Sequence, residues 1–158
     1  MIDVGAKEPT ERVARARAFI EMSARTVAMV RRGAIPKGDV IATATVAGIV
    51  AAKKTADVIP LCHPLRLSGV EVRVEPAGPD RLRVDTVVRA TDRTGVEMEA
   101  LLAATVACLT IYDMCKGVDR TLRIHDVELL EKRGGKTGDY VNERATAREP
   151  RRSRRSRP

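Results

Sequence analysis

At 158 residues the chain has the length of one domain and enough material to bury a core. Its only phenylalanine and tyrosine rings are Phe19, Tyr112 and Tyr140, with no tryptophan, so the core must be aliphatic and the usual stacking platforms of single-stranded nucleic-acid binders are missing. The net charge of +8 belongs mostly to one segment: residues 144–158 hold seven arginines and one glutamate, a net +6, whereas residues 1–143 hold 22 basic and 20 acidic side chains, a net +2. That segment, RATAREPRRSRRSRP, has almost no apolar side chains with which to offset its ordering entropy, and it reads as a disordered, solubilising tail on a domain of residues 1–143. Three cysteines, an odd number, do not suggest a disulfide framework. No signal peptide is legible, and the longest uncharged apolar run, residues 100–112, falls short of the roughly 20 residues a bilayer requires. A soluble, cytoplasmic protein is expected.

The chain opens on MIDV, which could add a short edge strand. Residues 10–31 carry apolar side chains at 13, 16, 19, 20, 27 and 30, close to a helical stripe, with Thr10 as N-cap and Gly33 as stop. A second helix is expected from about Asp39 to Ala56, with Asp39 as N-cap, Pro60 as terminator, and Lys53 and Asp57 spaced for an i, i+4 pair. Residues 68–75 and 81–90 alternate apolar with polar, and Pro76, Gly78 and Pro79 between them make a hairpin. Residues 95–116 predict a third helix stopped by Gly117. It is apolar on all sides from Ala100 to Tyr112, which calls for cover beyond one sheet face: a neighbouring helix and a subunit interface. Cys108 and Cys115 lie in it as small core residues. A strand over 121–132 and the loop RGGKTGD complete the pattern. The fold class is α+β, close to ferredoxin-like: a small antiparallel sheet with helices packed on one face.

Several residues break local rules. Asp113 sits in the last turn of the third helix, where the dipole disfavours an anion by about 0.3–1 kcal/mol. Lys116, three residues on, can meet it on one face, either as a salt bridge closing the helix or as a pair that moves protons. Lys37, in IPKGDV, approaches a helix N-terminus, where free N–H groups attract anions. The loop RGGKTGD is not a phosphate loop of the nucleotide-binding type, since Leu130 stands where that pattern needs glycine. It remains a glycine loop carrying Lys136. Glu97 and Glu99 open the third helix two residues apart and cannot share a face. In DVIPLCHPLRLSG, adjacent Cys62 and His63 are held between two prolines. Neighbouring side chains diverge, and the other cysteines and His125 lie elsewhere, which argues against a zinc centre or a Cys–His nucleophile. A rigid substrate clamp and a satisfied core histidine remain.

The blocks KGDVIATATVAGIVAAKKTADVIPLCHPL, TGVEMEALLAATVACLTIYDMCK and GGKTGD closely resemble the cyclic pyranopterin monophosphate synthase family of molybdenum cofactor biosynthesis, from about Ile2 to Tyr140. The resemblance implies the second step of that pathway, in which a cyclised dihydroguanosine triphosphate is rearranged to a pterin carrying a cyclic phosphate, with loss of pyrophosphate. It implies Asp113, Lys116 and Lys37 as catalytic residues. It implies substrate contacts from Leu61, Cys62, His63, Met98 and Glu99, from Lys136 of the glycine loop, and from Lys7 and Arg12 near the N-terminus. It implies no metal site and no cofactor, though a magnesium ion could accompany the triphosphate. It also implies a homohexamer, a trimer of dimers, with active sites between subunits. No membrane and no specific nucleic acid are expected as partners. The rival expectation is a noncatalytic RNA-binding or scaffold protein that uses the basic tail.

Overall fold

The computed structural model describes residues 1–135 and 138–147. The elements run β1 (Thr10–Glu21), α1 (Ala24–Arg31), α2 (Val40–Lys53), α3 (Thr55–Val58), β2 (Leu67–Pro76), β3 (Arg81–Asp92), α4 (Glu97–Cys115), β4 (Arg123–Arg133), β5 (Tyr140–Val141) and α5 (Glu143–Ala147). The sheet order is β2-β3-β1-β4-β5, with every neighbouring pair antiparallel. Without the short β5 this is the split βαβ arrangement of the ferredoxin-like fold, with α2 and α4 packed on one face.

One expected helix is overturned. Residues 10–21 form the central strand, β1, and only Ala24–Arg31 is helical, capped by the Ser23 hydroxyl accepting from the Thr26 N–H. The segment VARARAFI alternates with period two, and the inward row is Ala14, Ala16, Ala18 and Ile20, all without solvent exposure. Alanine and arginine favour helices in isolation, but pairing on both sides overrides that preference. β3 meets β1 in unbroken register from Thr10↔Asp92 to Glu21↔Arg81, and β4 closes the other edge. The N-terminal residues 1–4 form no edge strand.

The alanine row has a packing purpose. α4 lays Ala100, Ala103, Ala104 and Ala107 over β1, and small side chains on both surfaces let helix and sheet approach closely. α2 then meets α4 through Gly48. A Cβ there would stand 2.9 Å from the Ala103 carbonyl oxygen and 3.1 Å from Val72 Cγ2. Gly48→Ala should therefore destabilise the fold by about 1–3 kcal/mol through overpacking, despite alanine's better helix propensity. Thermal denaturation reads this directly, and an unchanged or raised Tm would refute so tight a contact.

α2 begins at the expected cap, with Asp39 accepting from the Ala42 N–H at 2.9 Å. Asp57 pairs with Lys54 at 3.3 Å, one residue from the expected Lys53, because the helix breaks at Lys54 and restarts as α3. The outer sheet face is a lattice of ion pairs, including Arg17–Asp85 at 2.7 Å, Arg83–Asp85 at 2.6 Å and Arg89–Glu71 at 2.6 Å. α5 carries helical structure through Ala147, with Ala145 buried, past the 143/144 boundary drawn from composition. The tail from Arg148 onward lies outside the described residues, as does Lys136.

α4 is 19 residues long with a mean hydropathy of 1.5, enough by length and composition to cross a membrane. Half of it is buried in this fold, against β1, β3, β4 and α2, as suits a core helix.

Candidate functional site at the two ends of α4

The C-terminal end of α4 carries the first cluster. Asp113 is clamped by two ammonium groups. Lys116 Nζ lies 2.7 Å from Oδ1, and Lys37 Nζ lies 2.7 Å from Oδ2 and 3.1 Å from the Asp113 backbone oxygen. Lys116 arrives by helix spacing. Lys37 arrives from the Ile35–Gly38 turn, whose Gly38 takes a left-handed φ of 101° and leads directly into the Asp39 cap. An ammonium on a terminal carbonyl also answers the negative end of the helix dipole. Hydrogen bonds from Lys116 and then Lys37 hold the Asp113 carboxyl down to about 2, and Asp113 pushes Lys116 up. Near neutrality the cluster is thus a carboxylate between two cations, net +1. All three side chains are about half exposed in the single chain.

The N-terminal end of α4 carries the second cluster, around a cavity of about 500 Å³. Lys7, Arg12, Arg93, Lys132 and Arg133 line it, with Glu8 and Glu97 as the acidic members. The Arg12 guanidinium is fixed by donating to the Asp92 and Arg93 carbonyls at 3.2 and 3.4 Å. The glycine loop closes over it. Gly134 and Gly135 have φ of 87° and 94°, and Cβ atoms there would stand 2.0 Å from the Glu11 carbonyl oxygen and 1.9 Å from Arg12 Nη1. Only glycine gives this loop both its backbone shape and its closeness to Arg12. Lys136 follows Gly135 directly in sequence. Glu97 reaches Lys132 at 3.2 Å. A polyanion suits this surplus of cations.

Beside the cavity, Glu99 is almost fully enclosed, at 2% exposure, and burial pushes its carboxyl up. The Cys62 thiol donates to Glu99 Oε1 at 3.7 Å, and Oε2 has no partner among the described residues. Cys62 and His63 sit in the proline-bounded loop after α3 with half-buried side chains, while Leu61 is exposed and Met98 marginally so. The other histidine is remote from them in kind: His125 stacks on Phe19 at 5.6 Å between the carboxylates of Glu21 and Asp126. No group of three His, Cys, Asp or Glu side chains is placed to hold a metal among the described residues.

The structure therefore joins Lys37 to Asp113–Lys116, Lys7 and Arg12 to the glycine loop, and Cys62 to Glu99. It does not join the two ends within one chain, because the sixteen residues from Glu97 to Asp113 rise about 24 Å. Lys132 and Arg93 escaped the sequence reading. A lysine in an alternating strand and an arginine after one look like ordinary surface charges until the sheet brings them to the cavity.

A profile of the MoaC family matches residues 1–135. Cyclic pyranopterin monophosphate synthase from Desulfitobacterium hafniense is 52% identical over 143 residues, spanning 90% of this chain and 88% of its own length. The family match spans β1 to β4, both ends of α4 and the first glycines of the loop, and by the two matches together the chain belongs to the MoaC family.

Proposed function

We propose that the chain acts as a cyclic pyranopterin monophosphate synthase, a pyrophosphate-releasing lyase at the second step of molybdenum cofactor biosynthesis. The 52% identity to a protein of that name, over nearly its whole length, carries the reading. The alternative of a noncatalytic RNA-binding or scaffold protein draws no support from the family match.

The reaction takes a cyclised dihydroguanosine triphosphate to a tricyclic pterin with a cyclic phosphate. Lys7, Arg12 and Lys136 hold the phosphates, and Lys132 and Arg93 add charge to the same cavity. Glu99 and His63 orient the ring, flanked by Leu61, Cys62 and Met98. Asp113 is already ionised and cannot donate a proton. It holds Lys116 in its charged form and aims both Lys116 and Lys37, and those ammoniums give up protons as bonds to the ribose and the leaving pyrophosphate rearrange. No resident cofactor is invoked. A magnesium ion would be carried by the triphosphate itself.

One catalytic centre needs both ends of α4, and a second copy supplies the missing half. The outward faces of α2 and α4 expose Val46 at 60%, Val50 at 51% and Leu109 at 53%, and a groove of about 420 Å³ runs between the helices past Ala47, Val58, Leu102 and Val106. Such a patch suits a partner. A twofold axis across it runs the two α4 helices antiparallel, so that the Asp113 end of one copy faces the Glu97 end of the other. Three such dimers make the homohexamer, working in the cytoplasm, which light scattering and cell fractionation respectively check.

The decisive assay supplies the cyclised nucleotide and measures pyrophosphate and the cyclic phosphate product; failure to form either overturns the activity. A chain ended after Ala147, lacking most of the tail, should turn over normally in the same assay. Mixing inactive Arg12→Ala and Asp113→Asn chains should restore about a quarter of full turnover, the share of intact sites in randomly mixed twofold dimers. No recovery would overturn the shared site and leave the activity standing.

A further inference from the structure

We infer that Cys62 is a positioning residue: its thiol occupies one carboxyl oxygen of Glu99 and reserves the other for an N–H donor on the substrate's guanine-derived ring. The inference rests on the functional reading above and adds a role that the reading does not supply.

Two independent features converge. Glu99 is a buried carboxyl whose Oε2 has no hydrogen-bond partner among the described residues, unusual for a polar atom so enclosed. Its Oε1 is engaged by the Cys62 thiol at 3.7 Å. The thiol's direction is set by its loop. The Cys62 N–H donates to the Ile59 carbonyl at 3.0 Å, closing a turn over Pro60 that fixes the backbone from which the thiol projects. Of the two groups, the thiol carries the hydrogen when Glu99 is ionised, so the Cys62–Glu99 bond runs from sulfur to Oε1.

The charge state of Glu99 follows from what faces it. Cys62 faces it from the loop. Glu97, two residues earlier on the same helix and turned to another face, opposes its ionisation through its charge, although Lys132 of β4 pairs with Glu97. The β1 and β3 residues packed under this end of α4, Ala14, Ala16, Val88 and Ala90, carry no charge. Among the described residues no cation compensates Glu99, and its carboxylate is favoured by its own backbone N–H and then by the Cys62 thiol, the side-chain donor that reaches it. A guanine-type ring presents N–H groups along its edge, and an ionised carboxylate accepts from them where a protonated one competes as donor. By favouring the carboxylate and filling Oε1, Cys62 sets both the charge and the direction of the remaining acceptor.

The test compares wild type, Cys62→Ala, Cys62→Ser and Glu99→Gln. In the resting protein, NMR titration of isotope-labelled glutamate carboxyls should show Glu99 ionising about one pH unit higher in Cys62→Ala, and close to wild type in Cys62→Ser, whose hydroxyl restores a donor. In turnover, the acid limb of kcat/KM should move upward with it, costing about tenfold on the acid side of the limb, mainly through KM. Glu99→Gln should abolish that limb. Superimposable Glu99 titrations in wild type and Cys62→Ala would overturn the inference, as would an acid limb that survives in Glu99→Gln. Because the carboxyl titration needs no substrate, it still decides the matter if wild type forms no product, a result that would defeat only the functional reading.

Discussion

Asp113→Asn should assemble like the wild type and lose about 10²–10⁴-fold in kcat. The side chain is half exposed and the change is nearly isosteric, so folding has little reason to fail. The electrostatics change completely. The amide cannot hold two ammonium groups at 2.7 Å, and Lys37 and Lys116, left with like charges and no carboxylate between them, swing apart. Circular dichroism and light scattering should report an intact particle, and pyrophosphate release should report the loss. Near-normal turnover would remove Asp113 from the mechanism. The wild-type pH profile gives a second check. With its carboxyl held down to about 2, Asp113 stays ionised throughout the working range, so an acid limb above pH 4 must belong to another group. The same depression adds stability above the ordinary carboxylate value of 3.8, and that contribution disappears as pH falls through about 2.

The largest expected loss of stability lies elsewhere, at Asp119, just after α4. Its carboxylate is buried and accepts four hydrogen bonds: the Ser23 N–H at 2.8 Å and Thr26 hydroxyl at 2.7 Å on one oxygen, and the Thr121 N–H at 2.9 Å and hydroxyl at 2.7 Å on the other. These bonds tie the start of α1 to the turn between α4 and β4. Burial alone would raise this carboxyl, but the donors from Thr121, Ser23 and Thr26 outweigh it and hold the group well below the usual carboxylate range. Asp119→Ala leaves four donors without an acceptor and should cost about 2–4 kcal/mol in urea unfolding at pH 7. The folded-state value is depressed, so the stabilisation is complete above the unfolded carboxylate value and fades as pH falls below it. Accordingly the gap between wild type and Asp119→Asn should narrow from pH 7 toward pH 2. A gap independent of pH would mean that the charge plays no part in the tie.

Sequence made α2, the β2–β3 hairpin, α4 and β4 legible because each follows one period and ends at a cap, a proline or a glycine. It failed at β1 because small alanines at alternate positions carry little hydrophobic signal and arginine is at home in either structure. The mistake hid the central strand without changing the fold class, since the remaining order already implied an antiparallel sheet under helices. The Asp113–Lys116 contact was readable from helical spacing. The third member, Lys37, meets them only through the packing of α2 on α4. Arg93 and Lys132 depend on strand register, and the Asp119 tie depends on two turns separated by most of the chain, so no local pattern announces either. Why Glu99 should be buried rather than pair with a lysine, as Glu97 does, was likewise invisible before the loop of Cys62 was placed against it.

The scarcity of rings has a practical corollary. With no tryptophan to dominate emission, the ultraviolet signal comes from Tyr112 and Tyr140. The first adjoins Asp113, and the second pairs with Lys132 across the β4–β5 ladder, where the glycine loop returns to the sheet. Each end of α4 thus carries its own native chromophore, and substituting phenylalanine at one leaves an optical probe of the other without any attached dye.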